Sequence, residues 1–267
     1  WGDFSWDSSF TFSANKNEIV ELVKDYVHPE TGKTYNVDKL ELKTDEGRGF
    51  GKAKFILKEG GTLGDLYTHA DLKRDINGNV LIDDSGNVTA IDNAGDIKLG
   101  SVLPKANLAW NNSFSYKGIN AGFLLTARLG GIVYSATQAY LDLYGVSETS
   151  AAARDAGGVW INGRSRVNPQ SFYEVVASQS GLPTYYTYSA TNLRLQEAHI
   201  GYTIPRRWLG NVCDINVSLV GRNLWMIYCK APFDPEAVAT TNNYYQGIDY
   251  FMMPSTRNIG FNIKINF

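Results

Sequence analysis

The last eleven residues, Arg257–Phe267, constrain this chain more than any other stretch. Ile259, Phe261, Ile263, Ile265 and Phe267 fall on one side of the run, and Asn258, Gly260, Asn262, Lys264 and Asn266 fall on the other. In an extended strand successive side chains point to opposite faces, so the run builds one apolar wall and one wet wall. A soluble sandwich can show such alternation. A strand that also closes on an aromatic residue, Phe267, fits a bacterial outer-membrane barrel better. There the outer face meets lipid, the lumen is polar and an aromatic sits at the membrane interface.

Other segments repeat the pattern. Leu108, Trp110, Phe114 and Tyr116 alternate with Asn107, Ala109, Asn111, Ser113 and Ser115. After a Lys117-Gly118 turn, Ala121, Phe123, Leu125, Ala127 and Leu129 alternate with Asn120, Gly122, Thr126 and Arg128. Both runs are about ten residues long, the length a tilted membrane strand needs. Phe4, Trp6, Phe10 and Phe12 open the chain in the same way, and Ile215, Val217 and Leu219 continue it. Between Asn192 and Ile204 the parity slips near Leu195–Ala198, which a β-bulge at about Glu197 would repair. Pro29, Pro104, Pro169, Pro183, Pro205, Pro232, Pro235 and Pro254 all fall outside these runs. Proline cannot donate to a ladder, so its placement supports the assignment.

Weaker strand signals lie at Ala53–Leu57, which the Gly60-Gly61 pair ends, and at Leu63–Ala70. Asn77-Gly78 and Ser85-Gly86 read as hairpin turns. Ser135–Leu143 reads as a short helix, because Ala136, Ala139, Tyr140 and Leu143 share one face. Val146–Ala190 and Asn223–Thr256 read as long loops. Connections then alternate between short turns, at Asn15–Asn17, Gly60-Gly61, Lys117-Gly118 and Pro205–Gly210, and long excursions. In a barrel the short turns are periplasmic and the long loops extracellular. The count is about nine strands, an odd number that would start the first strand at the outside. A chain opening at Trp1 inside a strand is expected to be the C-terminal portion of a longer protein, with residues 1–267 all in the barrel.

Composition excludes several alternatives. No run approaches the roughly 18 apolar residues of a membrane helix. The net charge of −2 offers no footprint for nucleic acid. Cys213 and Cys229 would lie on the order of 50 Å apart in an extended segment, too far for a disulfide. His28, His69 and His199 share no ligand spacing, and Gly145-Val-Ser147 lacks the glycine of a nucleophile elbow. No catalytic residue, metal or cofactor is therefore assigned. Asp75–Asn79 resembles the start of a calcium loop but lacks the distal bidentate glutamate, and reads better as a hairpin turn.

Leu108, Trp110, Phe114, Phe123, Phe261, Ile263 and Ile265 are the expected lipid-facing wall, and Phe267 an assembly signal at its end. Arg128, Arg194, Arg222 and Lys264 are expected to face the lumen. Tyr185, Tyr186, Tyr188, Trp160, Tyr244, Tyr245 and Tyr250 lie in the long loops. They are candidates for contact with substrate or partner, since tyrosine offers a flat apolar face and a hydroxyl. Packing within the loops is the alternative for all of them.

The second half of the chain resembles the SusC/RagA family of TonB-dependent outer-membrane transporters of Bacteroidetes. Leu193–Pro205 (LRLQEAHIGYTIP), Val220–Leu224 (VGRNL), Asp234–Glu236 (DPE) and Pro254–Phe261 (PSTRNIGF) carry the resemblance. Gly100–Pro104, Trp110–Phe114 and Gly130-Gly131 extend it upstream. The resemblance implies an all-β, antiparallel transmembrane barrel of about 22 strands, plugged by an N-terminal domain. It also implies contact with TonB through an N-terminal segment that these residues lack, and a SusD-like surface lipoprotein as partner. The family assembles as dimers of transporter–lipoprotein pairs and imports oligosaccharides or peptides at the outer membrane of Gram-negative bacteria, without acting as an enzyme. A soluble or surface β-sandwich that binds glycans is the competing reading, and the environment of the apolar strand face separates the two.

Overall fold

The computed structural model describes residues 3–42, 52–240 and 246–266; Trp1, Tyr244, Tyr245 and Phe267 lie outside them. Six long antiparallel strands form one sheet. They are β1 (Phe4–Ala14), β2 (Ala106–Tyr116), β3 (Ile119–Leu129), β4 (Asn192–Ile204), β5 (Asp214–Cys229) and β6 (Asn258–Asn266), paired in that order.

The register puts most of the large apolar residues of the strands in continuous rows. Trp6, Phe114, Ala121, Ile200, Leu219 and Phe261 are successive cross-strand partners, as are Phe4, Tyr116, Ile119, Tyr202, Val217 and Ile263. A polar row, Ser5, Ser115, Asn120, Gly201, Ser218 and Asn262, crosses on the other face. Because the side-chain period is two, a one-residue slip would turn a whole strand inside out, so the rows confirm the pairing. Trp110, Phe123 and Phe114 interlock on the apolar face, with ring centroids 5.7 and 6.3 Å apart. Phe261, Ile263 and Ile265 are exposed there, at 78%, 55% and 49%. Among the described residues no second sheet packs on this face.

The expected bulge is present. Leu125 pairs with Leu195 and Leu124 with Glu197, which leaves Gln196 unpaired. A second irregularity hid the true length of β5. Asn223 takes a left-handed conformation (φ 52°), and pairing steps from Arg222–Glu197 to Trp225–Leu195. Parity breaks there, so residues 223–229, expected to be loop, instead continue the strand.

Among the described residues six of the expected nine wall strands form the wall. Residues Ala53–Lys58 and Asp65–Thr68 do form strands, but in a separate four-stranded sheet with Lys39–Glu41 and Ile97–Ser101. The turns at Asn15–Asn17 and Gly60-Gly61 are accordingly not on the short-turn side. Residues 15–105, 130–191 and 230–257 all leave the wall at the same end, and only residues 117–118 and 205–213 connect strands at the other. β1 therefore starts at the short-turn end, opposite to the expected direction, and its free edge lies across the sheet from that of β6.

The long connections are not loose. They fold into a cap with its own core, including Phe55, Leu66, Leu72, Val102, Tyr134, Ile161, Phe172, Leu182, Tyr186 and Ile248. Among the described residues no wall residue joins that core. Helices α1 (Ala136–Leu143), α2 (Glu148–Asp155) and α3 (Pro169–Val176) belong to it. α1 matches expectation, and its N-cap is Ser135, whose Oγ accepts from the Gln138 amide. α2 and α3 were missed, although Ser147 and Asn168-Pro169 are ordinary helix-start signals. α3 buries only Phe172 and Val176, one turn apart, too brief a stripe to stand out as periodicity.

Candidate functional site

The cap is fastened by buried carboxylates. Asp142 on α1 accepts hydrogen bonds from the Tyr186 hydroxyl (3.0 Å), Gln138 Nε2 (3.0 Å) and Thr149 Oγ1 (3.2 Å), and from Ser147 Oγ. Ser147 caps α2, so one acid ties α1, α2 and the Tyr186 segment together. Burial, reinforced by the Asp142 charge, pushes the Tyr186 hydroxyl well above its ordinary range, and it stays a donor. Asp249 accepts from Ser135 Oγ at 2.6 Å, joining the 246–250 segment to the start of α1.

This geometry separates the tyrosine candidates. Tyr186 is 2% exposed and belongs to the core. Tyr188 sets its ring edge against Phe233, centroids 5.5 Å apart, and burial pushes its hydroxyl up to about 12. Tyr185 is half-buried against Phe172. Tyr250 packs in a ring cluster with Tyr140 and Phe251, at 6.4 and 5.2 Å. Trp160 is 55% exposed, with the Arg166 guanidinium 4.5 Å over its ring.

Phe251 is a residue the sequence reading did not single out. It adopts φ 50°, unusual for a bulky side chain, and its N–H donates to Thr137 Oγ1 at 2.7 Å. The turn presents Phe251, Met252 and Met253 outward, beside Tyr250. Nothing local in the sequence marks this; the strain is visible only once α1 supplies its partner.

Arg128, Arg194, Arg222 and Lys264 lie on the polar face of the wall. Arg222 pairs with Glu197 at 3.0 Å, and Arg128 Nη2 donates to the Val102 carbonyl at 2.9 Å. Lys264 is exposed. Arg194 does more. Its Nη2 lies 2.6 Å from Asp234 and 3.3 Å from Glu236, and Nη1 donates to Asn223. The Arg194 and Asp234 side chains are only 6% and 9% exposed. Burial acts to raise the Asp234 carboxyl, but hydrogen bonds, chiefly from Arg194, outweigh it and hold the group below its usual range. The Asp234-Pro-Glu236 stretch is thus bolted to the wall.

Two cavities flank this architecture. One of about 770 Å³ opens where the wall meets the cap, lined by residues including Ser13, Lys16, Leu103, Lys105, Asn107 and Ile132. Another of about 360 Å³ lies beside the bolt, among Met226, Cys229, Phe233, Asp234, Ser255 and Arg257. The Asp75 carboxylate accepts from the amides of Asn77 and Asn79, and hydrogen bonding from Asn79 draws it down. Asp83 repeats the turn with Ser85 and Asn87. Among the described residues no group of three His, Cys, Asp or Glu side chains could hold a metal ion, and Cys213 and Cys229 are unpaired.

An antiparallel wall with one apolar and one polar face, short turns at one end and a folded cap at the other, has the architecture of a segment of a transmembrane β-barrel. No family model matches the chain. It is 25% identical to the TonB-dependent receptor P3 of Formosa agariphila over 98% of its own length, and 25% identical to TonB-dependent receptor P26 of the same organism over 99%. The chain spans about a quarter of these relatives, 27% of each. Among solved structures it superimposes on the RagAB peptide importer in its closed-closed state with a TM-score of 0.64. That match has 17% identity and covers all of this chain and 28% of that one. A structure of the RagAB peptide transporter gives 0.59 at 16% identity, covering 99% of this chain and 27% of that one. The resemblance to SusC/RagA-type TonB-dependent transporters read from the sequence is recovered in both comparisons. These relatives are TonB-dependent receptors and a peptide importer.

Proposed function

We propose that this chain is the C-terminal part of the barrel of a TonB-dependent importer in the outer membrane of a Gram-negative bacterium. The observation that carries the reading is the six-stranded wall with predominantly apolar rows on one side and predominantly polar rows on the other. In this reading all 267 residues belong to the barrel and its loops. Plug and TonB-contacting segments come from the rest of the transporter. The chain performs no bond chemistry. It encloses part of the lumen and supports a cap through which nutrient enters.

The cap is the side on which a SusD-like lipoprotein would deliver oligosaccharides or peptides, within a dimer of such pairs. Exposed Trp160, and Tyr250 with Phe251 and Met253, are the side chains best placed for that contact, because they offer apolar area with polar tips. Tyr186 is assigned to the core instead, and Tyr185 and Tyr188 to the packing around it. The test replaces Phe251 and Met253 by Ser in the full transporter, followed by co-purification of the surface partner and uptake of labelled peptide and oligosaccharide pools. Loss of both is expected. Unchanged association and uptake would refute the assignment of this patch.

A further inference from the structure

The short-turn end of the wall carries a feature that transport through the lumen does not explain. The two turns are neighbours along this rim, because β3 and β4 stay paired to their ends: the Thr203 amide donates to the Gly118 carbonyl at 2.7 Å, and a Cβ on Gly118 would lie 3.1 Å from the Tyr202 ring. Together they bring three cations to one rim, Lys117, Arg206 and Arg207, all exposed. Arg206 is engaged by Asp214, through its amide at 3.0 Å and its guanidinium at 3.3 Å. Lys117 Nζ sits 5.2 Å over the Tyr116 ring, and among the described residues neither it nor Arg207 forms an ion pair. Asp3, one residue before the Phe4–Tyr116 pair, is a further acid near this rim among the described residues.

The cations stand on an apolar–aromatic shelf. Tyr116 and Tyr202 end the lipid-facing rows, 47% and 36% exposed. Trp208 packs on Tyr202 at 6.5 Å and is 64% exposed, with Val212 beside it in the turn at 63%. Apolar rows leading into aromatic rings, then into cations, match in order the acyl chains, the interface and the phosphate of a phospholipid.

We propose that Lys117 and Arg207, flanked by Tyr116, Tyr202 and Trp208, form a headgroup site for an anionic phospholipid of the periplasmic leaflet. The site would hold the barrel at a defined depth and rotation at the end where it meets the energising machinery. It rests on the barrel reading given above, and the experiment separates the two.

The probe is dioleoylphosphatidylglycerol, titrated against dioleoylphosphatidylcholine onto the full transporter in detergent and read by native mass spectrometry. Heat-modifiable migration on gels reports independently that each variant is a folded barrel. Wild type is expected to retain the anionic lipid in preference. K117Q and R207Q should each lower that preference about fivefold, and the double variant about 25-fold. K230Q, at the opposite rim, should leave it unchanged. Equal retention of the two lipids by wild type, or an unaltered preference in a folded double variant, would overturn the site. So would phosphate adducts on wild type that the double variant loses while its retention of the anionic lipid is unchanged, which would mean that the cations bind phosphate and not lipid. A wild type without heat-modifiable migration would instead strike the barrel reading itself.

Discussion

Replacing Arg194 by Met tests how the cap is held to the wall. The substitution keeps the aliphatic stem and removes the guanidinium that lies 2.6 Å from Asp234. Both side chains are under a tenth exposed, so solvent screens the pair little. Breaking a buried pair from one side costs about 3–5 kcal/mol, because the remaining charge has no partner. Asp234 has an escape, which is to take up a proton. From an ordinary value near 3.9 that costs about 4 kcal/mol at pH 7, which caps the penalty. The second contact, to Glu236, is 42% exposed on the acid's side and adds less than about 1 kcal/mol. The docked state of residues 230–257 should therefore lose about 3–4 kcal/mol, while the wall's ladder is untouched. Hydrogen exchange of the Glu236–Ala239 amides in the full transporter should speed up on the order of 100- to 1,000-fold. Adding Asp234→Leu should restore most of the protection, since it removes the stranded charge. Reasoning from the buried pair fails if R194M changes exchange less than about fivefold. It fails equally if the double variant is no better than R194M alone.

Ile263→Arg should destabilise the folded barrel in lipid by about 2–4 kcal/mol if the residue lies near the midplane, measured by urea unfolding in vesicles. Lys264→Leu, one residue on but facing the lumen, should cost far less. Tyr186→Phe should cost the cap about 1–3 kcal/mol by leaving Asp142 short of a donor, with faster exchange of the α1 amides as the readout. Gly181→Ala should do at least as much damage, because its backbone sits at φ 87° and the added Cβ would meet the Tyr186 ring at 2.4 Å; the same exchange measurement applies. The Asp234 carboxyl is depressed in the folded state, so its contribution is present above the unfolded value near 3.9 and disappears as pH falls through the lower folded value. Protection of residues 234–239 should thus hold from pH 7 to about 4 and fall only below that.

The wall was legible in the sequence because its rule is local. Lipid on one side and water on the other impose a period of two, and that period can be read in Phe261, Ile263 and Ile265 without knowing any partner strand. Even the bulge at Gln196 announced itself as a slip in parity. The cap was not legible, because its residues answer to contacts far away in the chain. Phe55, Tyr134, Phe172 and Ile248 show no shared pattern, yet they meet in one core. Tyr186 looked like a surface tyrosine until Asp142, 44 residues earlier, took its hydroxyl. The strand at Ala53–Lys58 alternates much as a wall strand does, and only its pairing with Asp65–Thr68 places it in the cap. Side-chain period thus determines which face a strand shows, while long-range hydrogen bonding and burial decide which sheet it joins and whether a loop is a binding surface or a core.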